Sequence, residues 1–226
     1  MSIRMSIFRK KPELSQAEFM AYWRDVHAPI AVTIPALQLY EQSCAVEHRV
    51  FGDRSLVQSA DGFCKLRFEN ETAMQGVMTP EMTRVLMEDE AKFIEGLRTF
   101  VVCSEAVLPP KIDAATKCIV LVTRRAEFDP AAFQHAWSGI FARSIADLPG
   151  IAGYIQHFVT ARTADRRPVG YDDIPVDCID ELWLTHPAGS AQADALLQAI
   201  ETESSAHAAA LSIAVVTVNL PVISWD

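Results

Sequence analysis

The sequence predicts an α+β fold in which two ferredoxin-like βαββαβ repeats pack sheet to sheet within one chain. Apolar residues alternate with period two in the strand segments and follow helical spacing in the segments between them. Shifting the chain by 114 residues brings six identical pairs into one register. A single unit leaves one face of its sheet uncovered, so we expect the second unit to cover it. The identical pairs are Phe19/Phe133, Trp23/Trp137, Ala28/Ala142, Pro35/Pro149, Tyr40/Tyr154 and Gln42/Gln156.

The amino-acid composition argues against nucleic acids and membranes as binding partners. The chain has 226 residues, of which 50% are hydrophobic, enough for one large core or two smaller ones. Its 20 basic and 29 acidic residues give a net charge of −9, which argues against binding to nucleic acid. No apolar run reaches the roughly 18 residues of a membrane span, and the N-terminus lacks a signal-peptide pattern. We therefore expect a cytoplasmic protein without membrane partners, whose five widely spaced cysteines are reduced thiols.

The first strand and the first helix carry the clearest local signals. Ile3 to Lys10 alternates as a strand does, and Ser15 with Glu18 forms a capping box that starts a helix. His27 falls on the apolar stripe of that helix. Pro29 disfavours helical geometry in the residue before it, so we expect the helix to end or kink just past His27. The stripe comprises Phe19, Tyr22, Trp23, Val26, His27 and Ile30.

The rest of the first unit completes the βαββαβ order. A second helix is predicted from Thr72 to Gly96, with a break at Thr79 and Pro80 that resembles a helix cap followed by proline at the first helical position. Period-two segments predict the remaining strands of this unit. They are Ala36 to Val46, Phe63 to Glu69 and Phe100 to Leu108.

A proline-rich linker separates the two units. Pro109 to Ala115 has two prolines and neither helical nor strand periodicity. The predicted domains are therefore residues 1–110 and 115–226. In the second unit Asp129 and Pro130 predict a helix start, and a shift of 116 aligns Leu66 with Leu182. The other predicted elements of this unit are a strand over Lys117 to Arg125, a helix over Gly189 to His207 and a last strand over Ile213 to Ile223.

The first unit resembles the EthD family. The run from Phe19 to Pro29, followed by Pro35 and Tyr40, matches the family pattern F-x-x-Y-W-x-x-x-H-A-P with a later proline and strand tyrosine. The second unit matches more weakly, so the chain is similar to a tandem EthD protein of the dimeric α/β barrel superfamily. The resemblance implies an intramolecular dimeric α/β barrel. Relatives include cofactor-independent monooxygenases, muconolactone isomerases, polyketide cyclases and dehydratases, and fold alone does not choose among these activities.

Only the first unit keeps the histidine. At the shift of 114, His27 aligns with Phe141 and Pro29 aligns with Arg143, so the HAP motif becomes FAR. Because the same fold position accepts phenylalanine, the histidine is not required for folding, which favours a function for His27. The other interpretation is that the duplicated units drifted apart and that His27 is a hydrogen-bonded core residue. An imidazole in a dry pocket can take a proton from a phenol or an acidic carbon, or hold an enolate.

Other residues are candidates for binding a substrate. Trp23, which is duplicated, is most simply a core residue, while Tyr40 and Gln42 present donors and acceptors on one strand face. Lys65 aligns with Glu181 at the shift of 116, so the two can pair between the sheets or remain solvated as separate charges. The predicted substrate-binding residues are Tyr22, Trp23, Tyr40, Gln42, Lys65 and Arg67.

Two functional hypotheses remain, and neither involves a metal or an organic cofactor. The histidines lack metal-ligand spacing, and the sequence has no dinucleotide, phosphate-loop or serine-nucleophile motif. The first hypothesis is a cofactor-free lyase, isomerase, cyclase or monooxygenase that acts on a small hydrophobic, aromatic or lactone-like metabolite, with His27 as general acid or base. The second is a non-catalytic binding or accessory protein of a degradation pathway. In either case the fused units form an internal pseudo-dimer. The sequence does not decide whether two such chains associate into a homodimer.

Overall fold

Helices and strands follow the same order in both halves of the chain. The computed structural model describes residues 2–76, 78–111 and 113–224, with Gln75 and residues 219–224 given by their backbone alone, and Ile112 of the predicted linker lies outside these ranges. The first half contains β1 (Ser2–Lys10), α1 (Gln16–Tyr22), a π-helical turn (Trp23–His27), α2 (Ala28–Ala31), β2 (Leu37–Gly52), β3 (Gly62–Phe68), α3 (Glu71–Gly76), α4 (Pro80–Glu90) and β4 (Ile94–Leu108). The second half contains β5 (Thr116–Arg124), α5 (Pro130–Ala136), a π-helical turn (Trp137–Phe141), α6 (Ala142–Ala146), β6 (Ile151–Ala164), β7 (Arg167–Pro168), β8 (Cys178–Leu184), α7 (Ala191–Ser204) and β9 (Ala208–Ser224).

Eight long strands close into an antiparallel barrel. Neighbouring strands lie in the order β4, β1, β3, β2, β9, β5, β8, β6, and β4 also pairs with β6. The two-residue strand β7 extends a hairpin from β6. Each half contributes four neighbouring strands in the same order, and the halves join at two seams, β2 with β9 and β4 with β6. The two predicted sheets are therefore joined by backbone hydrogen bonds along both seams, which closes them into one barrel.

The seam strands are longer than the sequence predicts. β2 continues to Gly52, beyond the predicted end at Val46, and β4 begins at Ile94, ahead of the predicted start at Phe100. The added residues of β2 pair with β9 of the other half, whereas those of β4 pair with β1 of the same half from Ile94 and also with β6 of the other half from Arg98. Because those partners are distant in sequence, the periodicity of one segment does not reveal them. The helix predicted to reach Gly96 is therefore wrong in its last turn, which belongs to β4.

The barrel has an apolar interior and an outer face that the helices cover. Met5 and Ile7 point inward, as the alternation of β1 predicts, while Arg4, Ser6 and Phe8 point outward beneath the first-half helices. Separate apolar clusters lie under the helices of the two halves. Among the helices that the structure describes, none is both long enough and apolar enough to cross a bilayer. The interior cluster consists of Met5, Ile7, Ala45, Ala60, Phe63, Phe100, Val102, Ile119, Leu121, Ile174, Val176, Ile179, Ala214 and Val216.

A cluster of charges also lies inside the barrel. Glu181 on β8 is fully buried and accepts hydrogen bonds from Lys65 Nζ at 2.7 Å and from His157 Nε2 at 3.0 Å. Lys117 Nζ lies 2.6 Å from Glu181 and 2.5 Å from Glu41. Of the two alternatives left open for Lys65 and Glu181, the structure shows the pairing, and the interpretation as two solvated charges is wrong. Burial alone would raise the pKa of Glu181, but Lys65 and Lys117 hold that pKa well below its usual range.

Candidate functional site

A π-helical turn places His27 on the inner side of the first helix. α1 begins at the capping box of Ser15, as predicted, and the helical pattern changes at Trp23. The N–H of Ala28 then bonds to the carbonyl of Trp23, five residues back. This wider turn changes which side chains face the core, so His27 is buried whereas Val26 is 43% exposed. Single π turns inside α-helices are frequent at functional sites.

Two details of the predicted helix are wrong. Of the two expected outcomes just past His27, an end or a kink, the end is wrong, because α2 continues over Ala28–Ala31 with Pro29 in its first turn. Proline has no backbone N–H, so Pro29 interrupts the series of helical hydrogen bonds without ending the helix, which continues over α2. Val26 is not on the buried stripe, because the π turn rotates it outward.

His27 forms a hydrogen-bonded pair with Asp89 from α4. Its Nδ1 lies 2.8 Å from Oδ2 of Asp89, and the two side chains are 9% and 3% exposed. The hydroxyl of Tyr22 donates to Oδ1 of Asp89 at 2.7 Å, and Phe93 packs on the imidazole with 5.0 Å between ring centroids. Because a carboxylate only accepts hydrogen bonds, Nδ1 carries a proton in this pair, and in the neutral imidazole Nε2 then holds the lone pair. Nε2 has no hydrogen bond to any residue that the structure describes, and the ring lines a cavity.

The surroundings of Asp89 keep its carboxylate ionised. Burial alone would raise the pKa of Asp89, but hydrogen bonds from Tyr22 and His27 outweigh burial and lower the pKa below its ordinary value. Burial, and next the hydrogen bond to Asp89, raises the pKa of Tyr22 to about 12. An ionised Asp89 beside a protonated Tyr22 fixes the imidazole in the form whose Nε2 accepts a proton. Within the described ranges, no three His, Cys, Asp or Glu side chains are grouped as metal ligands.

His27 lines a cavity of about 80 Å³ between the first-half sheet and its helices. Part of the lining is polar, since the hydroxyls of Ser6 and Thr99 lie 2.9 Å apart next to the guanidinium of Arg4. For comparison, a dry cavity of roughly 150 Å³ holds one benzene molecule. A ligand of that size therefore fits at His27 only if it extends into the mouth or widens it. The apolar lining includes Phe8, Trp23, Ile34, Leu66, Leu86 and Phe93.

The second half of the chain supplies the mouth of this cavity. Arg166 follows β6 in a turn where Asp165 and Arg166 have φ values of 45° and 66°. The N–H of Asp165 bonds to the carbonyl of Leu97 at 2.9 Å, which fixes the turn against β4. Arg166 forms an ion pair with Glu90 at 2.5 Å and also lines two neighbouring cavities. Arg166 therefore stands between the His27 cavity and the surface, and both halves contribute to the site.

Three of the predicted binding residues form one hydrogen-bonded group at the cavity. Trp23 and Tyr40 line the cavity, and Trp23 Nε1 donates to the Tyr40 hydroxyl at 2.8 Å. Gln42 lies behind them, where its Nε2 donates to the same hydroxyl and to the carbonyl of Trp23, both at 2.9 Å. Tyr22, the fourth, supports His27 indirectly through its hydrogen bond to Asp89. The Tyr40 oxygen thus accepts two hydrogen bonds, and its own hydrogen has no acceptor among the described residues.

The structure does not bring Lys65 and Arg67 to His27. Both lie on the face of β3 opposite Cys64, which lines the cavity, so they point into the barrel interior. Lys65 belongs to the interior charge cluster, and Nε of Arg67 is buried without a hydrogen-bond partner. The sequence could not decide this point, since it does not show which face of the strand the helices cover.

Sequence reasoning missed the partner of the histidine. Asp89 falls on the otherwise apolar stripe of α4, so a carboxylate in that position was an available signal. Arg4 and Ser6 share the outward face of β1, and both line the cavity. No sequence pattern pointed to Arg166, because this residue reaches the cavity only through the pairing of β6 with β4 of the other half.

The second half lacks the His27 site. Its π-helical turn ends at Phe141, just as the first turn ends at His27. Phe141 is buried and stacks on Trp137 with 3.7 Å between ring centroids. An apolar ring therefore takes the place of the imidazole, in a turn that differs from the first by a non-helical backbone at Gly139, with φ −88° and ψ −108°.

A buried carboxylate also distinguishes the second half. Asp180 on β8 takes the place of Cys64 on β3, since each lies opposite the glutamine of the neighbouring strand. Oδ2 of Asp180 accepts hydrogen bonds from Trp137 Nε1 at 3.0 Å and from the Tyr154 hydroxyl at 2.9 Å. Burial raises the pKa of Asp180 to about 7.

This raised pKa predicts a pH dependence of stability. Above about pH 4 the unfolded chain ionises Asp180, whereas the folded chain keeps it protonated up to about pH 7, so the stability that this residue contributes falls as pH rises through that window. We expect Asp180→Asn, which cannot ionise, to gain about 1 kcal/mol or more relative to wild type between pH 4.5 and pH 8. Urea unfolding at several pH values measures this difference. A difference that does not change with pH would contradict the expected titration.

Solved structures with the same architecture match almost the whole chain. An anthrone oxidase-like protein has 10% identity and a TM-score of 0.60, over 97% of this chain and 92% of that chain. A candidate monooxygenase from Lactobacillus acidophilus NCFM has 11% identity and a TM-score of 0.55, over 97% and 94%. A chlorite dismutase variant from Candidatus Nitrospira defluvii has 12% identity and a TM-score of 0.54, over 96% and 90%. At these identities the likeness shows the α+β barrel fold alone.

The half of the chain that carries His27 matches a known domain family. No curated protein sequence matches the chain. Residues 11–96 match the model of the EthD domain, a range that includes both His27 and Asp89. The resemblance inferred from the HAP motif is thereby confirmed. The first half of the chain therefore carries a segment, residues 11–96, that matches the EthD domain.

Proposed function

We propose that the chain is a cofactor-independent enzyme that moves a proton on a small hydrophobic, aromatic or lactone-like metabolite bound beside His27. One observation carries this proposal: Asp89 holds Nδ1 of His27 at 2.8 Å, while the ring lines a cavity and its Nε2 is left without a partner among the described residues. A histidine that served only the core would have both nitrogens satisfied, and the buried Phe141 indicates that the fold does not require an imidazole at this position.

The geometry supports general base catalysis. Nε2 of His27 takes a proton from an acidic C–H or O–H of the ligand, and the carboxylate of Asp89 stabilises the imidazolium that forms. The ligand is left as an enolate or phenolate beside the polar part of the cavity. The imidazolium then returns the proton to another atom, which gives isomerisation, dehydration or cyclisation, and the same deprotonation is the first step of an oxygenation. Tyr22 and Gln42 act as positioning residues, because they touch Asp89 and Tyr40 rather than the cavity.

We also propose that the halves are tandem ferredoxin-like repeats, of which only the first keeps the catalytic histidine. The matching element order, the shared strand order and the two π-helical turns support this interpretation. In such a protein the second repeat completes the barrel and supplies Arg166 at the mouth.

Exchange of a ligand hydrogen with D2O tests the proposed proton transfer. 2-Coumaranone, a small aromatic lactone with an acidic methylene, is the first probe, and anthrone is the second because one structural neighbour is described as anthrone oxidase-like. We expect the protein to accelerate loss of the methylene proton signal in NMR spectra over buffer alone. Binding of both probes without faster exchange would favour the second candidate function, a non-catalytic carrier of hydrophobic metabolites, which the mostly apolar cavity lining also fits.

Replacing the partner of His27 tests how the imidazole is oriented. In Asp89→Asn the amide can donate to Nδ1, which favours the imidazole form protonated at Nε2 and leaves no lone pair towards the cavity. We expect the exchange rate to fall by roughly 100-fold and the ring protonation to move from Nδ1 to Nε2. Nitrogen-15 NMR of the histidine rings measures the second effect. A lower rate without the change of protonated nitrogen would show that Asp89 only stabilises the fold.

A further inference from the structure

We propose that the natural ligand of the His27 cavity is an organic anion, a small aromatic or lactone-like carboxylate or phenolate, whose charged group binds Arg4. This inference rests on the function proposed for the same cavity and specifies the class of its substrate. The evidence comes from Arg4, from Tyr40 and from a comparison between the two halves of the chain.

Arg4 is a cation without a counter-charge. Its side chain lines the cavity beside Ser6 and Thr99, and it makes no hydrogen bond or ion pair with any residue that the structure describes. Its neighbour Arg166, by contrast, is paired with Glu90. Burial, and next the charge of Arg166, lowers the pKa of Arg4, as expected for a guanidinium removed from water without an anion beside it. A bound carboxylate supplies that anion and accepts two hydrogen bonds from one guanidinium.

Tyr40 offers a second donor to the same anion. Its oxygen already accepts from Trp23 and Gln42, so only its hydroxyl hydrogen remains available. Burial raises the pKa of Tyr40 well above its ordinary value, which keeps that hydrogen in place as a donor. A ligand oxygen next to Cys64 would accept it, since Cys64 and Tyr40 both line the cavity.

The second half shows a carboxylate in the corresponding place. There Asp180 replaces Cys64, and its Oδ2 accepts from Tyr154, the residue equivalent to Tyr40. The same Oδ2 also accepts from Trp137. The fold therefore accommodates a carboxylate oxygen at this position. In the first half the smaller Cys64 leaves this space free, so an oxygen of the ligand can occupy it.

The approach to the cavity is cationic although the chain is acidic. Arg4, Arg162 and Arg166 line the neighbouring groove, in a chain whose net charge is −9. An anion entering through this groove also competes with Glu90 for Arg166 at the mouth. Positive charge concentrated in a cleft attracts anions against an overall negative field.

Binding of a matched pair of probes tests this inference. Benzoate and benzyl alcohol have similar size, but only benzoate is charged at pH 7. By ligand-observed NMR titration, we expect benzoate to bind wild type at least about tenfold more tightly than benzyl alcohol. We expect Arg4→Gln to remove that preference and to leave the affinity for benzyl alcohol unchanged. The matched control is Arg84→Gln, which removes an exposed arginine of α4 and should keep the preference for benzoate.

Equal affinity of wild type for the two probes would overturn the inference, and this comparison does not depend on whether a variant folds. Retention of the benzoate preference in a folded Arg4→Gln variant would overturn the role of Arg4. The proposed function fails separately. If hydrogen exchange on neutral probes depends on His27 but the protein shows no preference for benzoate, the proposed enzymatic function stands and the proposed anion site is wrong. If benzoate binding depends on Arg4 but no probe exchanges its hydrogen, the proposed anion site stands and the proposed enzymatic function is wrong.

Discussion

His27→Phe will lower the rate of hydrogen exchange on 2-coumaranone by about 100-fold to 10,000-fold, the range typical for loss of a positioned general base. The variant copies the second half, in which Phe141 is buried in the corresponding π-helical turn. Asp89 loses one hydrogen bond but keeps that from Tyr22, so we expect a loss of stability of roughly 1–3 kcal/mol and a protein that stays folded at 25 °C.

The matched control is His135→Phe. His135 lies on α5 of the second half and is exposed, so the same substitution leaves the His27 cavity unchanged. Exchange should then proceed at the wild-type rate. Should His27→Phe fold and keep a rate within about threefold of this control, His27 would not be the base.

Glu181→Gln will destabilise the folded chain by roughly 3–5 kcal/mol, because it removes the buried anion between two buried cations. Glu181 is fully buried and lies 2.7 Å from Lys65 and 2.6 Å from Lys117. After the substitution Glu41 is the one carboxylate within salt-bridge distance of both lysines among the described residues. Since Lys65 and Lys117 belong to different halves, we expect both halves to unfold at lower urea concentration.

The pH dependence of this effect has a definite sign. The pKa of Glu181 lies well below its usual value in the folded chain, so its ionised form stabilises the fold at neutral pH. That contribution is lost as pH falls through the folded-state pKa. The difference between wild type and Glu181→Gln should therefore shrink in acid.

Glu88→Gln provides the comparison for an exposed ion pair. Glu88 pairs with Arg84 at 2.7 Å on the solvent side of α4, where water screens the charges. We expect its urea midpoint to match that of wild type. A Glu181→Gln variant with the same midpoint would show that the interior cluster contributes no net stability.

Local sequence signals predicted the parts of the fold that depend on neighbouring residues. The caps at Ser15, Thr79 and Asp129 start helices as predicted, since a cap needs only the residues that follow it. The alternation of β1 correctly separated Met5 and Ile7 from the outward side chains. The seams could not be predicted in this way, because the added residues of β2 pair with β9 and those of β4 with β1 and β6, all of which are distant in sequence.

The same limit applies to the candidate site. The contrast between His27 and Phe141 singled out the histidine from sequence alone. Its partner Asp89 comes from a helix 62 positions away, and neither motif nor spacing connects the two. The π-helical turn that directs His27 inward was not predicted, and Pro29 suggested a helix end or kink just past His27 instead.

A crystal structure of the protein soaked with 2-coumaranone tests the central claim most directly. We expect the ligand in the His27 cavity, with its methylene carbon about 3–3.5 Å from Nε2 and with Nδ1 still bound to Asp89. Density for the ligand only outside this cavity, or an imidazole whose Nε2 bonds to a protein group instead, would contradict the assignment of His27 as the base.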